Sequence, residues 1–438
     1  MKALLKKKMK LSGWGNNKFV NCKVYFPRNL NQLKTLIKND IIVRGFGRSY
    51  GDSSIQPNST IITSKLKKIL YFDKKKGIIE VESGLSIKDL IKETLVSGWF
   101  LPVTPGSKNI SIGGMVASDV HGKNHHQVGS FRNFITELKI INNKKKVILC
   151  NNKKNVNLFN YSIGGMGLTG IIYSCKFKLK KISSNLIFQE NLINKDLKET
   201  LKSFNNSKNW EYNVAWLDAS APKEKIGRSI LYRANHVKEN NSSLMFKENK
   251  SINIPNLFPS WFMNSYTIKL LNFLYFLFSS NGKKIVSIDK YFYPLDRISN
   301  WNVVYGKKGF ITYQFVIPYK NSYKIINQIL NILNYNKIYS FISVIKSMKQ
   351  NDKYLSFGKK GFSFVFDFPI YKNINEILEK IDKIILANNG DIYLTKDSRI
   401  SKNMFKKINK KFYNSSFKKL RKRKNAYFNS LQSERLEL

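Results

Sequence analysis

The sequence predicts an α+β fold in two domains, and three features point to it. The chain is 438 residues long, enough for two buried cores. Its first part alternates short β-rich runs with loops rich in Gly, Ser and Asn, without a regular strand–helix–strand repeat. From about Ser183 to Asn389 the texture changes, with more aromatic strands separated by long polar stretches.

In the first part the strand candidates are Ile41–Val43, Thr60–Ile62, Gly77–Val81, Phe134–Ile141, Lys146–Leu149 and Ile171–Leu179. Between them Ser86–Ser97 reads as a helix. Ser86 is its cap with Asp89 three residues on, and Ile87, Leu90, Ile91 and Leu95 mark one face. The second part opens on polar stretches such as His236–Asn253 and carries aromatic strands at Phe310–Pro318 and Phe362–Phe368. The end returns to a strand, Asp391–Leu394, and then to a basic amphipathic helix on which Phe405, Ile408 and Phe412 share a face. Its Lys/Arg run from Lys402 to Lys424 reads as a solvated helix face.

Hydrophobic residues make up 42% and aromatics 13%, which excludes a disordered chain. Cys22, Cys150 and Cys175 are widely spaced and form no CxxC pair, which argues against a disulfide framework or a zinc site and fits a reducing compartment. Met1–Leu11 is basic but no apolar run follows, so no signal peptide is expected and the expected location is cytoplasmic. No apolar run reaches the roughly 18 residues of an ordinary membrane-spanning helix. The formal charge is +48. Nucleic-acid binding is one reading of such a charge. Lysines are spread along the whole chain beside many Asn and Ile, however, which points to a compositional bias, and no nucleic-acid partner is expected. A surface of this sign would still be drawn to anionic headgroups and phosphate-bearing substrates.

Three glycine-rich segments carry the chemistry. Val43-Arg44-Gly45-Phe46-Gly47-Arg48-Ser49-Tyr50-Gly51-Asp52-Ser53 follows an apolar strand directly. Its glycines allow a tight turn and close approach of a ligand, and successive backbone N–H groups form a nest for anionic oxygens, with a diphosphate the natural guest. It is not a dinucleotide fingerprint, since Tyr50 stands where the third glycine would be and no helix pattern follows. The second runs from Pro102–Gly106 into Ser111-Ile112-Gly113-Gly114 and on through Ser118, Asp119 and Val120 to His121–His126. It holds three of the chain's four histidines, but small residues dominate, so a flat ligand pressed on backbone is expected and no metal. The third, Gly164–Ile171, precedes the last strand of this part. Glycine-rich segments at three strand edges imply one extended ligand with diphosphate, ribose and ring portions.

Together these segments resemble the vanillyl-alcohol-oxidase-like FAD-binding fold and, more closely, the decaprenylphosphoryl-β-D-ribose 2′-oxidase family. The likeness runs nearly end to end, through Leu11–Gly15, Gly47–Asp52, His121–His126, Gly129–Phe131, Tyr293–Asp296, Tyr313–Val316, Asp367–Ile370, Tyr393 with Lys396–Arg399, and Arg435–Leu438. It implies an FAD-binding domain of two subdomains over residues 1–185, a substrate-capping α+β domain with an antiparallel sheet over 186–390, and a return to the FAD domain over 391–438. By position it implies FAD contacts from Val43–Ser53, Gly106, Ser111–Gly114, Ser118–His121, Ile171 and Tyr393. Lys396 would lie over the flavin ring beside the sugar, with Lys123, Gln314, Lys346 and Val365 lining the substrate pocket. Val365 stands where relatives known for covalent inhibition carry a cysteine.

Alcohol oxidation needs the hydroxyl proton removed as the carbinol hydrogen leaves. Lys396 is the candidate catalytic group, because it lies in the segment that matches the family's catalytic lysine and burial beside an apolar ring would lower its pKa, with Tyr50 and His121 as further catalytic candidates. Relatives that attach FAD covalently carry a His where this chain has Arg48, so FAD is expected to be noncovalent. The resemblance implies oxidation of the 2-hydroxyl of a polyprenylphosphoryl pentose, the first half of an epimerisation completed by a separate NAD(P)H-dependent short-chain ketoreductase. A soluble alditol or aldonolactone oxidase of the same fold is the alternative. The segment Leu257–Ser280 contains the most apolar part of the chain, and its second run, Leu270–Phe278, has Lys269 before it and Lys283 and Lys284 after it. It reads either as a buried helix of the cap or as a peripheral contact with the inner membrane.

Overall fold

The computed structural model describes residues 3–238, 244–255, 258–351, 353–422 and 427–438. Leu257 and the end of the basic run, Arg423 and Lys424, lie outside the described residues. Among those described, the strands form three larger sheets. A four-stranded sheet takes Leu5–Leu11, Val20–Phe26, Thr60–Ile62 and Ile42–Arg44 in that order. A five-stranded sheet takes Ile69–Asp73, Ile78–Glu82, Ile171–Lys178, Ile135–Ile141 and Val147–Asn151, all pairs antiparallel. The helix Ile87–Leu95 lies beside them because its apolar face repeats at helical spacing, and Ser86 Oγ accepts from Asp89 N at 2.9 Å at its start.

The third sheet is antiparallel and eight-stranded. Its order is Gly282–Ser287, Leu186–Asn194, Ser229–His236, Tyr212–Leu217, Ile342–Met348, Gly361–Pro369, Phe310–Pro318 and Asp391–Ile392. The sequence of Gly361–Pro369 shows why it sits inside. Phe362, Phe364, Phe366 and Phe368 share one face and pack with residues of the helices Ser322–Tyr335 and Ile374–Ala387 in a single apolar core. Ser363, Val365 and Asp367 take the opposite face by the two-residue period of a strand. That face is the floor of the candidate site.

After Asp391–Ile392 pairs with the edge of this sheet, the chain makes a short 3-10 turn, Leu394–Lys396, and returns towards the glycine-rich part. The expected single basic helix is instead three pieces, Lys402–Ile408, Lys410–Tyr413 and Ser415–Lys422. Asn409 ends the first, with its side-chain amide donating to Asp391 Oδ1 at 2.6 Å rather than continuing the helix. Phe405 and Phe412 are still buried together, with ring centroids 5.6 Å apart. The last helix, Leu431–Leu436, carries Arg435 to both Asp52 and Asp397, at 3.0 and 2.8 Å. One guanidinium thus ties the end of the glycine loop to the turn that holds Lys396. Among the described residues no helix is long and apolar enough to cross a membrane.

Candidate active site

Two cavities adjoin, sharing Arg48, Ile110, Val120 and Thr395 in their walls. The first, of about 850 Å³, is walled by backbone and small side chains: Val43, Gly45, Phe46, Gly47, Ser49 and Ser53 from the first glycine loop, and Ser111, Gly113, Gly114 and Ser118 from the second. Met166, Gly167 and Gly170 of the third loop complete it. The close fit explains the residue types. A Cβ on Gly45 would stand 2.0 Å from Ser111 Oγ, and Gly47 has φ +66°, a left-handed turn that glycine adopts freely. Ser83 Oγ is buried in this wall without a hydrogen-bond partner. Crowded backbone from three loops and an orphaned hydroxyl suit a large ligand rich in acceptors, as the diphosphate and ribose of FAD are.

The second cavity, of about 1430 Å³, lies over the floor of the large sheet. Three neighbouring strands contribute one face each: Gln314, then Val365 and Asp367, then Ile342, Val344 and Lys346. Tyr393 and Lys396 enter from the edge turn, Tyr50 and Arg48 from the glycine loop, and Gly106 and His121 from the second loop. Trp14, Leu295, Ile298 and Trp301 add an apolar wall.

Charge in this cavity is set by burial. Lys396 Nζ stands 3.4 Å from the Tyr50 ring centroid, and burial brings its pKa to about 7, with Asp367 opposing the fall and Lys346 adding to it. Asp367 is pushed up to about 6 by burial, against the pull of Lys396 and of the Thr312 hydroxyl, which donates to its Oδ1 at 2.6 Å. Burial lowers Lys346 to about 8. His121 falls well below the usual histidine range through burial and then the nearby Lys346, His125 and Lys396, so it is neutral, and Gln314 Nε2 donates to its Nε2 at 2.8 Å. Arg48 stacks 3.7 Å from the Trp14 ring centroid on the border of the two cavities. The arrangement therefore holds a lysine able to take up a proton near neutral pH, a carboxylate to balance it, and a neutral imidazole beside them.

Several expected residues stand outside these walls. Arg44 runs beneath the loop, donating to the Ser12 carbonyl at 2.7 Å, with burial lowering its pKa to about 10. Gly51 packs on the Asp397 carbonyl, and Asp52 is paired with Arg435. Ile112 is fully buried, and Asp119 accepts from Ser130 Oγ and Arg132 N, at 2.8 and 2.9 Å. Ile171 is buried in the sheet, while its neighbours Gly170 and Ile172 face the first cavity. These residues shape the loops from behind. Tyr393 reaches Ser118 by donating its hydroxyl to that carbonyl at 2.9 Å. Lys123 lines a third cavity, not the second, and donates to the Tyr291 carbonyl. Sequence reasoning missed Asp367 and Asp296 as wall residues. The signal for Asp367 was there, a lone carboxylate inside an otherwise apolar strand. Among the described residues no three His, Cys, Asp or Glu side chains gather as a metal-ligand set.

A sequence model of the FAD binding domain family matches residues 24–151, the stretch that carries the first two glycine loops. The chain is 30% identical over 378 residues to the decaprenylphosphoryl-beta-D-ribose oxidase of Mycolicibacterium smegmatis, covering 83% of this chain and 82% of that protein. It is 27% identical over 151 residues to the D-lactate dehydrogenase of Anaerostipes hadrus, 32% of either chain. It is also 27% identical over 127 residues to L-gulonolactone oxidase 5 of Arabidopsis thaliana, 27% of this chain and 22% of that one. Glycine loops around one cavity, a second cavity with a buried lysine and carboxylate beside it, and the family match define an FAD-dependent oxidoreductase of the vanillyl-alcohol-oxidase type. The similarity extends far beyond the FAD domain in only one of these three comparisons. The chain belongs to the decaprenylphosphoryl-β-D-ribose oxidase family.

Proposed function

We propose that this protein oxidises the 2-hydroxyl of a polyprenylphosphoryl pentose to a ketone, with Lys396 accepting the hydroxyl proton. The observation that carries the reading is the lysine of pKa about 7 beside a buried carboxylate, in a cavity that adjoins the glycine-lined one. When bound, FAD supplies the acceptor for the electrons and hydrogen leaving the carbinol carbon. Lys396 takes the hydroxyl proton as its neutral amine, and the Asp367 carboxylate stabilises the ammonium that results. Tyr50 holds the lysine in place through its ring face. Gln314 keeps His121 oriented as a neutral neighbour of the reacting carbon. Arg48, whose side chain cannot form the histidyl link, leaves FAD held by contacts alone.

A ketone at this carbon sets up reduction from the opposite face, so the reaction is the first half of an epimerisation that an NAD(P)H-dependent reductase completes. The product itself tests this. Quenching turnover with borodeuteride should place one deuterium at C2 of the pentose in both epimers. Label at another carbon would overturn the regiochemistry. Lactone oxidation is the competing activity, supported by similarity over a much shorter stretch.

The substrate's lipid tail gives a role to the helix Ser265–Leu277. Its buried side carries Ile268 and the polar Asn272, which donates to Ser220 Oγ and the Ser340 carbonyl, both at 3.1 Å. Its outer side carries Leu270, Phe273 and Leu277, each about half exposed, and Tyr266 beyond them. This reverses the usual helix, in which polar residues face water. Exposed Lys269 lies on this helix, and exposed Lys283 and Lys284 on the strand Gly282–Ser287 that follows it, so the surface the stripe fits is an anionic membrane, on which the enzyme would sit peripherally.

A further inference from the structure

The helical turn Pro294–Arg297 separates the redox cavity from a third one. Leu295 and Asp296 face the former, while Pro294 and Arg297 face the latter. The third cavity lies at the far end of the large sheet, where the register sets Gln189 beside Lys284 and Asn191 beside Tyr232. Lys284, Lys290 and Arg297 bring three cations to its wall beside Lys123, whose pKa burial lowers to about 7, and no described carboxylate lines it. Like charges gathered without a counter-charge repel, and an anion between them removes that cost. A solvated basic face is the ordinary outcome on a chain of charge +48, but three further features distinguish this cavity.

Lys123 is held in place, donating to the Tyr291 carbonyl and lying 4.1 Å from that ring's centroid. The Tyr291 hydroxyl is buried and has no hydrogen-bond partner. Tyr232 and Tyr275 share a hydroxyl–hydroxyl bond of 2.7 Å, which leaves one O–H free to turn to a ligand. The rim also changes character on one side. Phe278, 82% exposed, leads directly onto the apolar stripe through Leu277 and Phe273. Cations and hydroxyls within, with an apolar path leading out, suit a phosphoryl group on a hydrocarbon chain.

We propose that this third cavity binds a phosphate ester carried on an apolar chain, at a site separate from the redox cavity. The proposal holds whichever sugar the redox cavity accepts. Calorimetry on the FAD-loaded full chain tests it with geranyl phosphate, geraniol and inorganic phosphate. Geranyl phosphate should bind, geraniol should not, and inorganic phosphate should bind about tenfold more weakly because it lacks the chain. The double variant Lys284→Gln/Arg297→Gln should lose about tenfold or more, with its flavin spectrum and thermal midpoint unchanged. Lys346→Met, in the redox cavity, should bind as the wild type does. Equal binding by wild type and double variant overturns the site, as does loss of binding in Lys346→Met alone, which would move the phosphate to the redox cavity. Inorganic phosphate binding as tightly as geranyl phosphate overturns the apolar path and makes the free ion the occupant. Failure of a sugar to reduce the flavin would bear on the proposed reaction and leave this result untouched.

Discussion

Lys396 Nζ lies 3.4 Å from the centroid of the Tyr50 ring, so the proposed proton acceptor rests on the end of the first glycine loop. Two parts of the chain far apart in sequence thus meet at the reacting group.

Replacing Lys396 by Ala should abolish substrate-driven flavin reduction while FAD stays bound, because the lysine lines the second cavity and not the first. The pH profile follows from burial. With its pKa lowered to about 7, the lysine is neutral and able to accept a proton above that value, so stopped-flow reduction rates should rise through pH 7 and then level. Asp367→Asn removes the charge that raises the lysine's pKa, so the inflection should move to lower pH. An inflection that stays in place would remove Asp367 from this role.

FAD should be released completely on acid or heat denaturation, because Arg48 occupies the position where attachment would occur and its guanidinium is stacked on Trp14. Yellow colour left on the precipitated chain would contradict this.

Arg435→Ala should destabilise the fold by about 2 kcal/mol, because it leaves Asp52 and Asp397 facing each other without their shared counter-charge. FAD should dissociate more readily from the variant, since Asp52 ends the glycine loop. Thermal unfolding with and without added FAD measures both effects. An unchanged midpoint would reduce the pair of contacts to surface ion pairs.

Vesicles containing anionic lipid should co-sediment the wild type and lose the Leu270→Ser/Phe273→Ser/Leu277→Ser variant. These three side chains are on the outer face, so the fold should survive, and turnover of a water-soluble substrate checks that it does. Equal sedimentation would return any membrane affinity to bulk charge.

Much of this was legible in the sequence where local rules decide the outcome. The cap at Ser86, the strands Thr60–Ile62 and Phe310–Pro318, and the glycine loops that wall the first cavity all follow from short-range chemistry. What was hidden depends on contacts distant in sequence. Asn409 breaks the C-terminal helix because Asp391 awaits its amide, and no pattern around Asn409 announces that partner. Asn272 is a polar residue within an apolar run, yet it is buried with Ile268, because Ser220 and Ser340 accept from its amide inside. The behind-the-loop positions of Arg44 and Asp52 likewise follow from Ser12 and Arg435. Lys123 reads as a pocket residue from its motif, and its contact with the Tyr291 carbonyl and ring holds it at a different cavity.

The central claim is that the adjoining cavities carry out flavin-dependent oxidation of a lipid-linked pentose. Anaerobic bleaching of the bound flavin tests it most directly, with polyprenylphosphoryl ribose set against free alditols and aldonolactones. The account predicts rapid and complete loss of the yellow absorbance with the lipid-linked sugar and slow or no bleaching with the others. Rapid bleaching by a free alditol or lactone, with none by the lipid-linked ribose, would contradict it.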